Sequence, residues 1–290
     1  MGRRVNARHT LPEYRPLMSG LPGAVLNLLT AVALVFLLGP VVIVLIISFS
    51  ADSFLGFPPS GFSLRWYYNF FGGDPTWLKA FWKSMRIASM TMALAILLGA
   101  PAAIVLARLK LRHRPIIEAL VLAPLLVSPM IIAVASYLQL AKVGLTGTSF
   151  GLVLGHCVLA LPFVVMNVMV SARSLDFRLE QAAMNLGARP LVVAWRVTLP
   201  LLIPGILTAA LFAFLVSFDD VVLSMFLSGI EPTLQKRMWD DLRLEISPTV
   251  AAASSVLILV TLVVFAIGAV VNRRMTQRIA GRRRVNMERV

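Results

Sequence analysis

Ser174-Leu-Asp-Phe-Arg-Leu-Glu-Gln-Ala-Ala-Met-Asn-Leu-Gly-Ala-Arg-Pro-Leu-Val-Val-Ala-Trp-Arg-Val-Thr-Leu-Pro200 is a polar stretch, rich in small residues, set between two long apolar runs. Asp176 is a fair N-cap residue. Leu179, Ala182, Ala183 and Leu186 recur at three- and four-residue spacing, so they share one helical face. Gly187 suits the left-handed position that follows a helix end. Pro190 suits the first turn of the next helix. The stretch predicts two short helices joined at a glycine elbow. Alanines at its exposed tip would let a partner's backbone come close, so the segment is expected to act as a rigid knob that transmits force.

The runs on either side cover 143–172 and 197–218, the second continuing past an acid pair to 230. Four more uncharged runs cover 24–49, 87–107, 119–141 and 246–272. Each reaches the roughly 20 apolar residues that a helix needs to cross a bilayer. A period-2 barrel pattern is absent, and only helices or closed barrels satisfy every backbone group in lipid. The expected fold class is therefore an all-α membrane protein with six transmembrane helices. Composition agrees. Of 290 residues, 59% are hydrophobic and 14% charged, against about 45–50% and about 25% for a soluble domain. A soluble core of this composition would leave large apolar patches in water, and disorder is excluded by the same values. The first run is longer than a signal-peptide core and no small-residue cleavage site follows it, so a retained anchor is expected.

The net charge is +14. The basic residues gather in four places: Arg3, Arg4, Arg8 and Arg15; Arg108, Lys110, Arg112 and Arg114; Arg173, Arg178, Arg189 and Arg196; and Arg273, Arg274, Arg278, Arg282, Arg283, Arg284 and Arg289. The positive-inside rule puts these segments, both termini included, in the cytoplasm. The chain then divides into a cytoplasmic basic segment at 1–23, a transmembrane domain at 24–272 that contains the 174–200 loop, and a cytoplasmic basic tail at 273–290. The tail is read as an anchor drawn to anionic membrane lipid, not to nucleic acid. The outside segment from 50 to about 82 holds Trp66, Tyr67 and Tyr68; these aromatics either mark the membrane border or offer a docking surface. The mixed-charge segment 229–247 is expected to form a short amphipathic helix.

Asp219 and Asp220 interrupt an apolar run of about 30 residues. A carboxylate inside the membrane costs on the order of 3 kcal/mol, so it needs a partner or water. Neighbours on a helix point about 100° apart, which puts Asp220 on the stripe of Ser217, Ser224 and Ser228. Two readings stay open. Either the Asp220 stripe lines a solute pathway and attracts a cationic amine while Asp219 bonds a neighbouring helix or subunit, or both acids are structural. Gly147, Gly151 and Gly155 form a small-residue row that suits close helix packing. His156 is read as packed and hydrogen-bonded. Tyr137, Gln139 and Lys142 border the outer end of the third span. With Cys157 as the one cysteine, no Cys-based metal site or internal disulfide can form. No catalytic or metal constellation is visible. A P-loop would need a Gly-Lys pair, and the chain has none, so ATP-driven work would require a separate ATPase subunit.

The loop residues Gln181-Ala182-Ala183-x3-Gly187-x9-Val197-Thr198-Leu199-Pro200 resemble the Glu-Ala-Ala-x3-Gly-x9-Ile-x-Leu-Pro signature of permease subunits of bacterial ATP-binding cassette importers. The spacing matches throughout. Gln181 stands where the family has Glu, with Glu180 one place earlier, and Val197 stands where it has Ile. His156–Val165, Val216–Val222 and Thr233–Ser254 further resemble spermidine/putrescine-type permeases. The likeness covers roughly residues 25–272. It implies the type I importer permease fold, with the coupling helix between the fourth and fifth spans, in a multi-pass protein of the bacterial inner membrane. It also implies that Glu180, Gln181, Ala182, Ala183, Gly187 and Pro200 couple the chain to the ATPase. The implied partners are a second permease, identical or different, two ATPase subunits that use ATP, and a periplasmic solute-binding protein. This chain would bind no cofactor. A polyamine is the implied solute, with another amine, an opine-like or an amino-acid-like solute as alternatives. A channel or secondary transporter working without an ATPase is the rival class.

Overall fold

A computed structural model describes residues 23–108, 112–244 and 247–287. Residues 1–22, with Arg3, Arg4, Arg8 and Arg15, lie outside the described residues, as do Lys110 and Arg289. The described chain is helical, and five of its helices are long and apolar enough to cross a membrane. A bent helix pair makes up to six.

Helix α1 (Gly23–Ser48) is apolar all round and lies against α12 (Thr249–Met287), away from the core. A loop follows, closed by a bridge between Ser50 and Phe62. The Asp52 carboxylate ties it together by accepting from the Ser60 amide and hydroxyl and from the Ser50 hydroxyl. Short α2 (Arg65–Tyr68) leads into α3 (Pro75–Arg108). The uncharged run placed the second span at 87–107, but the helix begins twelve residues earlier, inside the segment read as an outside loop. Its first turns carry Lys79, Lys83 and Arg86, so they fall outside the uncharged run.

The third expected span, 119–141, is broken. Helix α4 (Arg114–Leu122) and a single tight turn end at Leu125; α5 (Pro129–Lys142) starts after a bend of 98°. Pro129 forces the residue before it out of the helical region, and Ser128 accordingly has φ −56° and ψ 133°. The fourth span, expected from 143, starts only at α6 (Ser149–Ser174). Gly144 and Gly147 take left-handed φ of 69° and 76°, and the Thr148 hydroxyl caps α6 by accepting from the Gly151 amide at 3.0 Å. Next come α7 (Arg178–Asn185), α8 (Pro190–Val193) and, after a wide turn at Ala194–Thr198, α9 (Leu199–Phe218). The fifth span does not run through the acid pair: α9 stops at Phe218 and α10 (Val222–Leu227) restarts beyond it. The amphipathic helix expected at 229–247 is α11 (Leu234–Leu244). Helix α12 starts at Thr249 and runs past the expected end at 272.

The core is the mutual packing of α3, α6 and α9. Its contact residues are mostly small: Ala95, Ala100 and Ala103 meet Ala160, Val164 and Val168 of α6 and Ala209 and Ala213 of α9. Without a hydrophobic drive between helices in lipid, close backbone approach holds such helices together. A Cβ added at Gly99 would lie 2.9 Å from Val164 Cγ1, so α3 and α6 touch there with no room for a methyl. This three-helix core fixes the ends of α3, α6 and α9 beside one another. The 174–200 loop hangs from two of those ends.

Candidate functional site

The loop folds by local rules. The Asp176 carboxylate, one residue outside the N-cap, accepts from the Arg178 amide at 2.9 Å. At the other end Gly187 takes φ 88°. Its amide donates to the Met184 carbonyl at 2.9 Å, and the Ala188 amide donates to the Ala183 carbonyl at 3.2 Å. That bond pair is the Schellman closure of a helix. Two short helices therefore meet at a glycine elbow.

Within α7 the two polar neighbours point in different directions, about 100° apart. Gln181 and Ala182 are exposed and Ala183 is half-buried. Glu180 turns inward: its Oε1 lies 2.8 Å from Arg108 Nη2 and accepts from the Thr198 hydroxyl at 2.8 Å. The Arg108 guanidinium also sits over the Phe177 ring, 5.7 Å from its centroid. Beyond this pair the loop presents apolar side chains: Leu186 is 90% exposed, and Leu191 and Trp195 are also exposed. Gly187, next to Leu186 in the chain, is exposed, as is Pro200 in the first turn of α9. An apolar, small-residue surface on a rigid elbow is suited to sit in a protein cleft. Sequence reasoning missed Arg108 and Thr198 as partners of Glu180. Arg108 was visible only as one charge in a basic segment, because no spacing rule links positions 72 residues apart.

The acid pair divides its work differently from the continuous-helix reading. With the helix ending at Phe218, Asp220 heads α10 instead of lying mid-span. Its Oδ2 accepts from the Leu223 and Ser224 amides at 2.8 and 3.3 Å and lies 3.5 Å from His156 Nε2. His156, 1% exposed, completes the cluster through a 2.7 Å bond between Nδ1 and the Ser217 hydroxyl, with the Ser224 hydroxyl 3.5 Å from Nε2. So Ser217, Asp220 and Ser224 do gather, but around a buried histidine. Asp219 is exposed and, together with Asp220, borders a cavity of about 570 Å³ between α9 and α12, walled by Leu159, Leu215, Leu262 and Phe265.

The glycine row is not one helix face. Gly151 and Gly155 lie on α6, and a Cβ at Gly155 would strike Leu227 of α10. Gly147 precedes the helix and packs against Gly229, where a Cβ would come within 2.8 Å of the Gly147 Cα. Gln139 lines an apolar cavity with Ile131 and Leu154, while Tyr137 is exposed. Gly147-Thr-Ser-Phe-Gly151 has the spacing of a nucleophile elbow, which requires a strand before the serine; here a turn precedes it. No group of three or more His, Cys, Asp or Glu suited to a metal occurs among the described residues.

The sequence profile of the binding-protein-dependent transport system inner membrane component family matches residues 95–277. The spermidine/putrescine transport system permease protein PotC of Haemophilus influenzae is 28% identical over 249 residues, 86% of this chain and 96% of that protein. The putrescine transport system permease protein PotI of Escherichia coli K12 is 30% identical over 243 residues, covering 81% and 84%. The molybdenum transport system permease protein ModB of Mycobacterium tuberculosis is 31% identical over 202 residues, covering 64% and 76%. In fold, a chain of a bacterial ABC transporter involved in import of the acidic polysaccharide alginate superposes with a TM-score of 0.62 at 16% identity, over 87% of this chain and 95% of that one. The MetNI methionine ABC transporter in its inward-facing form gives 0.58 at 16% identity, over 68% and 95%. These two likenesses speak to fold alone.

Proposed function

The chain belongs to the binding-protein-dependent transport system inner membrane components, multi-pass permease subunits of the bacterial inner membrane, and on that premise we propose that it passes a small cationic solute, a polyamine such as spermidine or putrescine, from a periplasmic binding protein to the cytoplasm by ATP-driven alternating access. A second permease, identical or different, completes the pathway. Two ATPase subunits dock from the cytoplasm, where both termini of this chain lie. The chain does no covalent chemistry. Its contribution is a two-state pathway whose states differ in affinity for the solute.

The observation that carries the mechanism is the 174–200 loop. Its apolar tip at Leu186, Leu191 and Trp195 faces out while its base is held by Glu180. An ATPase cleft is the occupant that suits it, with Gln181, Ala182, Ala183 and Gly187 at the contact. For the solute, the names of PotC and PotI support a polyamine, and Asp219 supplies a carboxylate open to a cavity that also holds Phe265. Carboxylate and ring together suit an ammonium group. An anionic solute is the second reading. It is favoured by the cavity of about 620 Å³ on α3, lined by Lys79, Lys83 and Arg86, and by the ModB relative.

The test is binding of spermidine, putrescine and molybdate to the cognate binding protein, followed by uptake into vesicles carrying the reconstituted complex. Saturable, ATP-dependent polyamine uptake is expected. Molybdate uptake without polyamine uptake would replace the solute. A complex in which no ATPase co-purifies with the wild-type loop would remove the importer mechanism itself.

A further inference from the structure

Resting on the docking role of α7, we propose that Glu180 is a positioning residue that locks the docking helix to the core, so that displacement of α7 reaches α3 and α9 together. Without such a lock, α7 is poorly attached. None of its residues is buried, and among the described residues its main packing is on α8 and the turn at Ala194–Thr198. Its C-terminal junction is Gly187, where nothing lies within 4 Å of an added Cβ. Force applied to α7 would then reach the core only along the chain, through α8 and through the short link to α6.

The Glu180 carboxylate closes this gap. One oxygen is shared by Arg108, the last residue of α3, and by Thr198, in the turn that opens into α9. The charged side chains of the pair are 15% and 14% exposed, and Thr198 is buried. Screening by water is therefore limited, and removing one partner leaves the other charge poorly solvated. The Phe177 ring beneath the Arg108 guanidinium holds it from a second side. By contrast, the bond of Glu118 to Arg173 at 2.7 Å joins α4 to α6 with a more exposed arginine, a geometry in which ion pairs contribute little.

The lock also gives a reason for a neutral residue at 181. Adjacent helical residues point about 100° apart, so one carboxylate cannot both bind Arg108 and reach an outside partner. The acid is spent inward at 180. Position 181 meets the docked subunit uncharged, and the contact is made by Ala182, Leu186 and their apolar neighbours.

The experiment uses the assembled complex in vesicles, with the binding protein as purified with the solute it carries. Three quantities are read: ATPase co-purification, basal ATP hydrolysis, and the stimulation of hydrolysis by the binding protein. Glu180→Gln is expected to retain the ATPase and basal hydrolysis but to lose stimulation by about tenfold, the scale of an ordinary coupling free energy. Thr198→Val, which keeps shape and removes one bond to the same oxygen, is expected to give a smaller loss of the same kind. The charge exchange Glu180→Arg with Arg108→Glu is expected to restore most of the stimulation; a purely structural effect on the loop would not be reversed in this selective way. Full stimulation in Glu180→Gln, or loss of ATPase binding in step with loss of stimulation, overturns the lock while wild-type coupling keeps the importer reading intact. A wild-type complex that binds no ATPase overturns both.

Discussion

At the scale of single residues, Asp219 and Asp220 are adjacent in sequence and different in circumstance. Asp220 caps α10 and holds His156; the Asp219 amide donates to the Leu215 carbonyl at 2.9 Å, while its carboxylate, without a hydrogen-bond partner among the described residues, faces the cavity that Asp220 also borders. Asp220→Ala should destabilise the protein by about 1 kcal/mol, the usual value of a lost cap, read as a lower melting temperature in detergent. Asp219→Asn should leave that temperature unchanged and slow uptake of spermidine. The sequence showed which residues would gather, since Ser217, Asp220 and Ser224 share helical spacing. It did not show that the helix stops at Phe218, so the cluster's centre, His156, was read as packed without its partners. Outside the membrane, Asp52 offers a pH readout. The Ser60 hydroxyl and amide, then the Ser50 hydroxyl, hold its carboxyl below the ordinary value of 3.8. A lowered pKa contributes stability above the unfolded value that is lost as pH falls through the folded one. Hydrogen exchange of the loop between Ser50 and Phe62 should therefore be unchanged from pH 7 to about pH 5 after correction for intrinsic rates, and should accelerate only below 3.8.

At the scale of elements, what could be read from sequence was what is decided locally. The elbow of α7 and α8 followed from Asp176, Gly187 and Pro190, because capping and left-handed turns involve residues within a few positions. The breaks in the third and fifth spans and the late start of the fourth did not follow from hydropathy, which reports composition and is blind to whether the hydrogen-bond ladder continues. Signals were present at Pro129, Gly144 and Gly147, but proline and glycine are also tolerated inside membrane helices. Gly187 is the sharpest test of the element. Its left-handed φ costs an L-residue about 1–2 kcal/mol, and since a methyl there meets no neighbour, Gly187→Ala changes conformation alone. It should weaken ATPase co-purification, while Gly39→Ala, on α1 with an equally open surround, should not.

At the scale of the whole molecule, three helices built on alanine and glycine carry the fold, and the remaining spans lie around them. Gly99→Ala inserts a methyl between α3 and α6 at 2.9 Å from Val164. Overpacking of this sort costs about 1–3 kcal/mol, so a lower melting temperature and a smaller yield of folded protein are expected. Six apolar runs and their basic borders sufficed for the class of fold. Which runs pair is set by contacts such as Gly99 with Val164, and no periodicity within one helix specifies them.

Helix α3 runs through Pro101 without a break for 34 residues, about 51 Å at 1.5 Å per residue, against a hydrocarbon thickness of about 30 Å. One tip bears Arg108 and the pair with Glu180. Toward the other, Lys83 donates to the Ser228 carbonyl at 3.0 Å and Ser84 bonds Gln235 and the Leu234 amide at 3.1 and 2.8 Å. The helix is thus a connecting rod that stands proud of the bilayer and is gripped near both tips. A shift imposed at either bearing should be felt at the other; under the importer mechanism proposed above, nucleotide on one side of the membrane and cargo on the other would answer to the same shaft, each altering the hold on its counterpart by an equal factor.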